Sequence, residues 1–222
     1  MSSQTPIAQN IQQIKSQLPA TCKLIVVSKY REVAEIQTAY ASGQRMFAEN
    51  RVQALLERKE ALPTDIEWHL IGHLQTNKVK YIAPFIAMIH SVDSFKLLQE
   101  INKEAAKNNR IIPCLLQLHI AQEETKFGLG VDELDAFFTE FGSVDLPNIA
   151  LHGLMTMASN TEDKEVIHTE FALTQSLFQD IKAKHFADDV RFCELSIGMS
   201  SDYNIAIAHG STLVRVGSAV FA

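Results

Sequence analysis

The segment Leu24-Ile25-Val26-Val27-Ser28 is a short aliphatic run that reads as a buried strand. Lys29-Tyr30 follows it, and then a helical pattern over 31–41 that stops at Gly43. A weaker strand over 45–49 comes next, then a strongly charged helix over 51–61 that ends at Pro63. Strand, helix, strand, helix is the signature of parallel strands joined by right-handed crossovers. How often this unit recurs decides the fold.

It recurs along the whole chain. Strands are expected over 66–71, 85–91, 111–120 (interrupted by Pro113), 149–155, 191–196 and 212–216. The intervening helices are expected over 76–82, 94–107 with Ser94 as N-cap, 131–141, 161–184 and 200–208. Eight βα units favour an α/β fold of the (β/α)8 TIM-barrel type. An open doubly wound sheet is the alternative on pattern alone, and no G-x-G-x-x-G stands at a strand–helix junction to support its dinucleotide-binding form. An N-terminal helix over 5–18, with apolar Ile7, Ile11, Ile14 and Leu18, precedes the first strand. It can take the place of the helix that a last unit would supply. The expectation is one barrel domain over residues 1–222.

Composition agrees with an ordinary globular chain. Of 222 residues, 46% are hydrophobic and 21% charged. A net charge of −6 lacks the basic footprint of a nucleic-acid binder. No apolar run reaches the roughly 18 residues of a membrane span, and the polar first 17 residues have no signal-peptide core. Cys22, Cys114 and Cys193 are too few and too far apart for a disulfide framework. The eight histidines show no metal-ligand spacing. A cytoplasmic monomer that binds neither nucleic acid nor membrane is expected.

In a parallel barrel the functional face lies at the carboxyl ends of the strands. Polar and glycine residues gather there. Lys29 directly follows the first apolar strand; it is either a surface lysine or an amine made nucleophilic by partial desolvation. Asn50 lies at the second strand end and caps a helix or meets a ligand. In Thr212-Leu213-Val214-Arg215-Val216-Gly217-Ser218 the backbone N–H groups of Gly217 and Ser218 suit a phosphate, and Arg215 shares a strand face with Gly217. Ser196-Ile197-Gly198-Met199-Ser200-Ser201-Asp202 reads as a strand end and loop whose serines cap a helix, a role compatible with anion binding.

These segments carry a resemblance. Val26-Val27-Ser28-Lys29, Phe47-Ala48-Glu49-Asn50-Arg51-Val52-Gln53, Trp68-His69-Leu70-Ile71-Gly72-His73-Leu74-Gln75-Thr76-Asn77-Lys78, Leu195-Ser196-Ile197-Gly198-Met199-Ser200-Ser201-Asp202 and Val214-Arg215-Val216-Gly217-Ser218 resemble the pyridoxal phosphate homeostasis proteins of the YggS/PROSC type. Ala48 and Ala54 depart from that pattern, where glycine and glutamate are usual. The resemblance implies a barrel similar to the N-terminal domain of alanine racemase and pyridoxal 5′-phosphate as cofactor. It implies that Lys29 forms the internal aldimine, that Arg215 faces the pyridine nitrogen, and that Ser196, Gly217 and Ser218 hold the phosphate. Asn50 would sit near the phenolic oxygen; Lys126 matches a family lysine of unassigned role.

An arginine cannot readily protonate the pyridine nitrogen, so the cofactor would be a poor electron sink. A racemase also needs a second base, which alanine racemase takes from a domain this length leaves no room to build. A carrier that holds the cofactor and passes it to apo-enzymes, without catalysis, is therefore favoured. A racemase using His152, Tyr203 or Lys126 as the base is the alternative, and a cofactor-free barrel enzyme for a phosphorylated metabolite is a third reading.

Overall fold

Strand β1 (Lys23–Val27) shows the alternation that a closed sheet requires. Ile25 and Val27 join Ala48, Leu115 and Met155 in a small interior cluster, while Leu24 and Val26 belong to the larger core between strands and helices. In this computed structural model, which describes residues 5–121 and 127–222, seven further strands repeat the pattern. They are β2 (Met46–Glu49), β3 (Glu67–Leu70), β4 (Met88–Val92), β5 (Ile112–Gln117), β6 (Ile149–Met155), β7 (Glu194–Ser196) and β8 (Leu213–Val216). The sheet closes in the order β1 to β8, all neighbours parallel, with β8 returning to β1. The fold is a (β/α)8 barrel.

Helices α2 (Val33–Ala41), α3 (Val52–Ala61), α4 (Val79–Ile82), α5 (Phe95–Lys107), α6 (Leu134–Gly142), α7 (Lys164–His185) and α8 (Tyr203–Ala208) connect the strands. The N-terminal helix, α1 (Pro6–Gln17), completes their ring. Thr5 caps it and Pro6 begins it. It contacts α2 on one side; on the other, Tyr203 Oη donates to Gln17 Oε1 at 2.6 Å and Asn10 Nδ2 to the Val220 carbonyl at 3.1 Å. Ser94 caps α5, its hydroxyl accepting from the Leu97 N–H.

Several boundaries move inward from their expected places. β4 begins at Met88 rather than at residue 85, because the chain after α4 remains a turn around Pro84, held by the Arg110 guanidinium on the carbonyls of Ala83 and Ile86. β5 stops at Gln117, where the Gln117 carbonyl accepts from Leu129 N–H and its side-chain amide donates to the Phe127 carbonyl. Pro113 sits inside β5 opposite Ala150. α8 starts at Tyr203, which frees Ser200 and Ser201 from the helix.

Two glycines test this geometry. Gly153 in β6 has φ +150°, and a Cβ there would lie 1.8 Å from the Glu194 carbonyl oxygen. Gly142, at the end of α6, has open space around it. Gly153→Ala is expected to cost upwards of about 3 kcal/mol of unfolding free energy, and Gly142→Ala to be neutral or stabilising by about 0.5 kcal/mol. Denaturant titration of the two variants measures both; equal midpoints would contradict the tight β6–β7 approach.

Candidate functional site

At the carboxyl end of the barrel, β1, β7 and β8 frame a cleft of about 600 Å³, a size suited to a small molecule. Lys29, Asn50, Arg215, Gly217 and Ser218 all line it. Five of the six residues singled out from the sequence are thus brought together. Ser200 and Ser201 join them. A second hollow of about 460 Å³ lies at the opposite end, but two of its cations, Lys23 and Arg45, are paired with Glu194 and Asp65.

Lys29 is exposed at the rim, and its ammonium has no hydrogen bond or ion pair among the described residues. The loop that carries it is anchored from beneath. Ser28 Oγ donates to Glu49 Oε1 at 2.7 Å, and Arg31 N–H donates to the Ser28 carbonyl at 3.1 Å, closing a turn. Tyr30 occupies the left-handed region of that turn with φ +65°, a conformation unusual for a tyrosine. Glu49 itself is buried, and burial pushes its carboxyl up. Asp93, immediately after β4, meets His73 Nδ1 at 2.9 Å.

On the other wall, Ser200 Oγ accepts from the N–H groups of Gly217 and Ala219 at 3.3 and 3.4 Å. The N–H groups of Ser200, Ser201 and Ser218 have no protein acceptor among the described residues. Converging backbone donors and hydroxyls of this kind make an anion cradle. Asn50 does not cap α3, whose N-cap is Arg51. Its backbone abuts Gly72, where a Cβ would lie 2.1 Å from the Asn50 carbonyl oxygen.

Arg215 forms the floor. It is 3% exposed, and burial lowers its guanidinium to about 10, so it remains a cation at neutral pH. No carboxylate lies within ion-pair distance among the described residues; its partners are the Ser196 carbonyl (2.6 Å), Ser196 Oγ (2.7 Å) and the Thr156 carbonyl (2.8 Å). Ser196, the sixth predicted residue, is therefore not on the cleft surface. It is fully buried beneath Arg215, with its hydroxyl between the guanidinium and His90 Nδ1 at 3.0 Å. Residue 196 faces inward like Arg215, but one layer deeper than the strand-end rule supposes.

Two residues beneath the floor were not singled out by sequence. His90 Nε2 lies 2.8 Å from His69 Nδ1, and both rings are buried. Desolvation holds His69 down to about 4 and His90 well below its usual value, helped there by the charges of His69 and Arg215. Their signal was parity: His69 shares the inward face of β3 with Ile71, and His90 that of β4 with Met88. The residues weighed as a second base fall elsewhere. Neither His152 nor Tyr203 lines the cleft, and Lys126 lies outside the described residues. Among the described residues no group of three His, Cys, Asp or Glu side chains is placed to hold a metal ion.

The closed parallel (β/α)8 barrel with its cleft at the carboxyl ends of the strands is of the alanine racemase barrel class. The alanine racemase N-terminal domain family matches residues 3–222. Solved alanine racemases share the fold: that of Bartonella henselae, with covalently bound pyridoxal phosphate, superposes with a TM-score of 0.73 at 17% identity, over 97% of this chain and 58% of that one. Nearer relatives are more specific. A pyridoxal phosphate homeostasis protein of Aquifex aeolicus is 38% identical over 90% of this chain and 86% of its own. One from Vibrio alginolyticus is 35% identical over 97% and 96%. PipY of Synechococcus elongatus, solved with PLP bound, has a TM-score of 0.88 at 34% identity over 97% of this chain and all of that one. The chain belongs to the pyridoxal phosphate homeostasis protein family.

The buried His69 has a consequence for stability. Its folded value of about 4 lies below the unfolded 6.5, so between these the unfolded chain binds a proton the folded chain refuses. Unfolding free energy should therefore fall by about 3 kcal/mol as pH drops from about 6.5 towards 4. Urea titrations across this range should show a steeper acid loss for the wild-type protein than for His69→Gln; parallel curves would contradict a neutral buried ring.

Proposed function

We propose that this chain binds pyridoxal 5′-phosphate in the cleft as a Schiff base on Lys29, and that it holds and delivers the cofactor without turning over a substrate. The observation that carries this reading is the Arg215 guanidinium, buried at the floor of a ligand-sized cleft with no carboxylate in ion-pair contact among the described residues, Asp202 acting on it only from further away. A buried cation without a contacting counter-ion is costly to a fold and points to a ligand that completes it.

The residues fit this cofactor. It supplies an aldehyde, an aromatic nitrogen and a phosphate dianion. Lys29, exposed at the rim and free of protein partners among the described residues, would supply the amine that holds the aldehyde as a reversible imine, with water as the other product. The hydroxyls and open N–H groups of Ser200, Ser201 and Ser218 would cradle the phosphate, with Gly217 shaping the turn and its N–H holding Ser200 Oγ. Ser196 does not touch it and acts through Arg215. Asn50 stands at the wall beside the ring. Arg215 would face the ring nitrogen as a donor that keeps its own proton, so it would not protonate that nitrogen and the ring would remain a weak electron sink.

Two things support a carrier over a racemase. The described cleft lining contains no histidine or carboxylate to act as a second base, and its one phenol, Tyr30, stands exposed at the rim. The exposed rim position of Lys29 leaves the linkage open to an incoming amine or to water. We read residues 1–222 as one cofactor-binding barrel, a monomer whose recipients are pyridoxal phosphate-dependent apo-enzymes.

Purified protein mixed with pyridoxal phosphate should develop a visible absorption band that borohydride traps on Lys29, identified by peptide mass. Lys29→Ala should give no band. A band that survives this substitution would place the linkage elsewhere, and no band in the wild-type protein would overturn the binding mode.

A further inference from the structure

A buried cation needs either a counter-ion or oriented dipoles. Arg215 has no carboxylate in contact among the described residues, the buried Asp202 reaching it only through longer-range attraction, and its polar contacts do not end at Ser196. The contacts run on from Ser196 Oγ to His90 Nδ1 at 3.0 Å and from His90 Nε2 to His69 Nδ1 at 2.8 Å. His69 Nε2 ends the chain, buried and without a protein partner.

The donor inventory sets the direction of every link. A guanidinium only donates, so Arg215 Nη1 gives its proton to Ser196 Oγ. Ser196 is wholly buried, and His90 is the remaining group its hydroxyl can donate to. His90 therefore accepts at Nδ1, carries its proton on Nε2, and donates to His69 Nδ1. His69 accepts at Nδ1 and carries its proton on Nε2. The opposite polarity would strand both the Ser196 hydroxyl proton and the His69 Nε2 lone pair, two orphaned groups in place of one.

In this arrangement every lone pair faces Arg215 and every proton points away. Aligned dipoles polarise one another and strengthen the bonds between them. We infer that Ser196, His90 and His69 form a neutral, polarised relay that stands in for a counter-ion, holding Arg215 aimed at the cleft with its positive charge left unneutralised for the bound ligand. All three are positioning residues. A carboxylate in their place would fix the guanidinium as well, but it would spend the charge that the ligand's electron-rich nitrogen needs. Both rings must stay neutral for this, because a protonated His90 can no longer accept from Ser196. Their burial in the barrel core keeps them so.

This rests on the cofactor reading for what Arg215 faces, but the relay itself can be read without any ligand. Long-range proton–nitrogen correlation spectra of ligand-free protein labelled at histidine nitrogen report the tautomer of each ring. At neutral pH both His69 and His90, assigned by comparison with His69→Gln and His90→Gln, are expected to be uncharged with the proton on Nε2. An Nδ1 proton or a charged ring at either position would overturn the inference. In Ser196→Ala, a small change in a packed site, the His90 resonances should lose their single tautomer, and pyridoxal phosphate should be held about tenfold more weakly. Unchanged His90 resonances or unchanged retention would overturn it equally. Failure of the wild-type protein to take up pyridoxal phosphate would overturn the cofactor reading alone, and the ring tautomers would still decide the relay.

Discussion

The return of β8 onto β1 is the constraint on which the rest depends. Four residue pairs run from Lys23 opposite Leu213 to Val26 opposite Val216, and this register sets Arg215 beside Ile25 on the inward face. A slip of one residue would turn Arg215 into the helical layer. The same closure brings the Lys29 turn beside the Gly217-Ser218 turn. The strand ends approach so closely that a Cβ on Gly217 would lie 3.0 Å from the Val27 carbonyl oxygen. Rim amine, anion cradle and floor cation are thus products of one pairing, contributed by residues nearly two hundred positions apart in the chain.

Closure also buries a charge, and the interior is built around that fact. Most of the barrel interior is aliphatic, with Ile25, Val27, Leu115, Met155 and Leu213 filling it. Against this background Arg215, Ser196, His90 and His69 form a continuous polar seam. Desolvating a guanidinium costs several kcal/mol, and neutral acceptors offset only part of it. The remainder is available to a ligand that brings electron density to the floor of the cleft. In the proposed reading such a guest completes a site that is otherwise set among ordinary helices and an ordinary core.

Much of the architecture was legible in the sequence because it is local. Ile149–Met155 reads as a strand at both ends, and Ser94 reads as a cap, since side chain and backbone neighbours decide these. The errors fall where distant groups decide. The start of β4 depends on Arg110, more than twenty residues away, and the end of β5 on Leu129 and Phe127. At the site, the strand-end rule found Lys29, Asn50, Arg215, Gly217 and Ser218. Ser196, which the family resemblance gave to the phosphate, lies a layer deeper against Arg215, and neither strand ends nor resemblance carries a measure of depth within the barrel. His69 and His90 looked scattered, since the contacts that unite them with Ser196 span 21 and 106 residues.

The central claim is that Arg215, at the barrel floor without an ion-pair contact among the described residues, is completed by a ligand anchored at Lys29. A crystal structure of the protein soaked with pyridoxal phosphate tests this most directly. The account predicts continuous density from Lys29 Nζ to the cofactor, the ring nitrogen within hydrogen-bond distance of Arg215, and the phosphate among Ser200, Ser201, Gly217 and Ser218. A cofactor seated elsewhere, or one whose ring nitrogen faces away from Arg215, would contradict it.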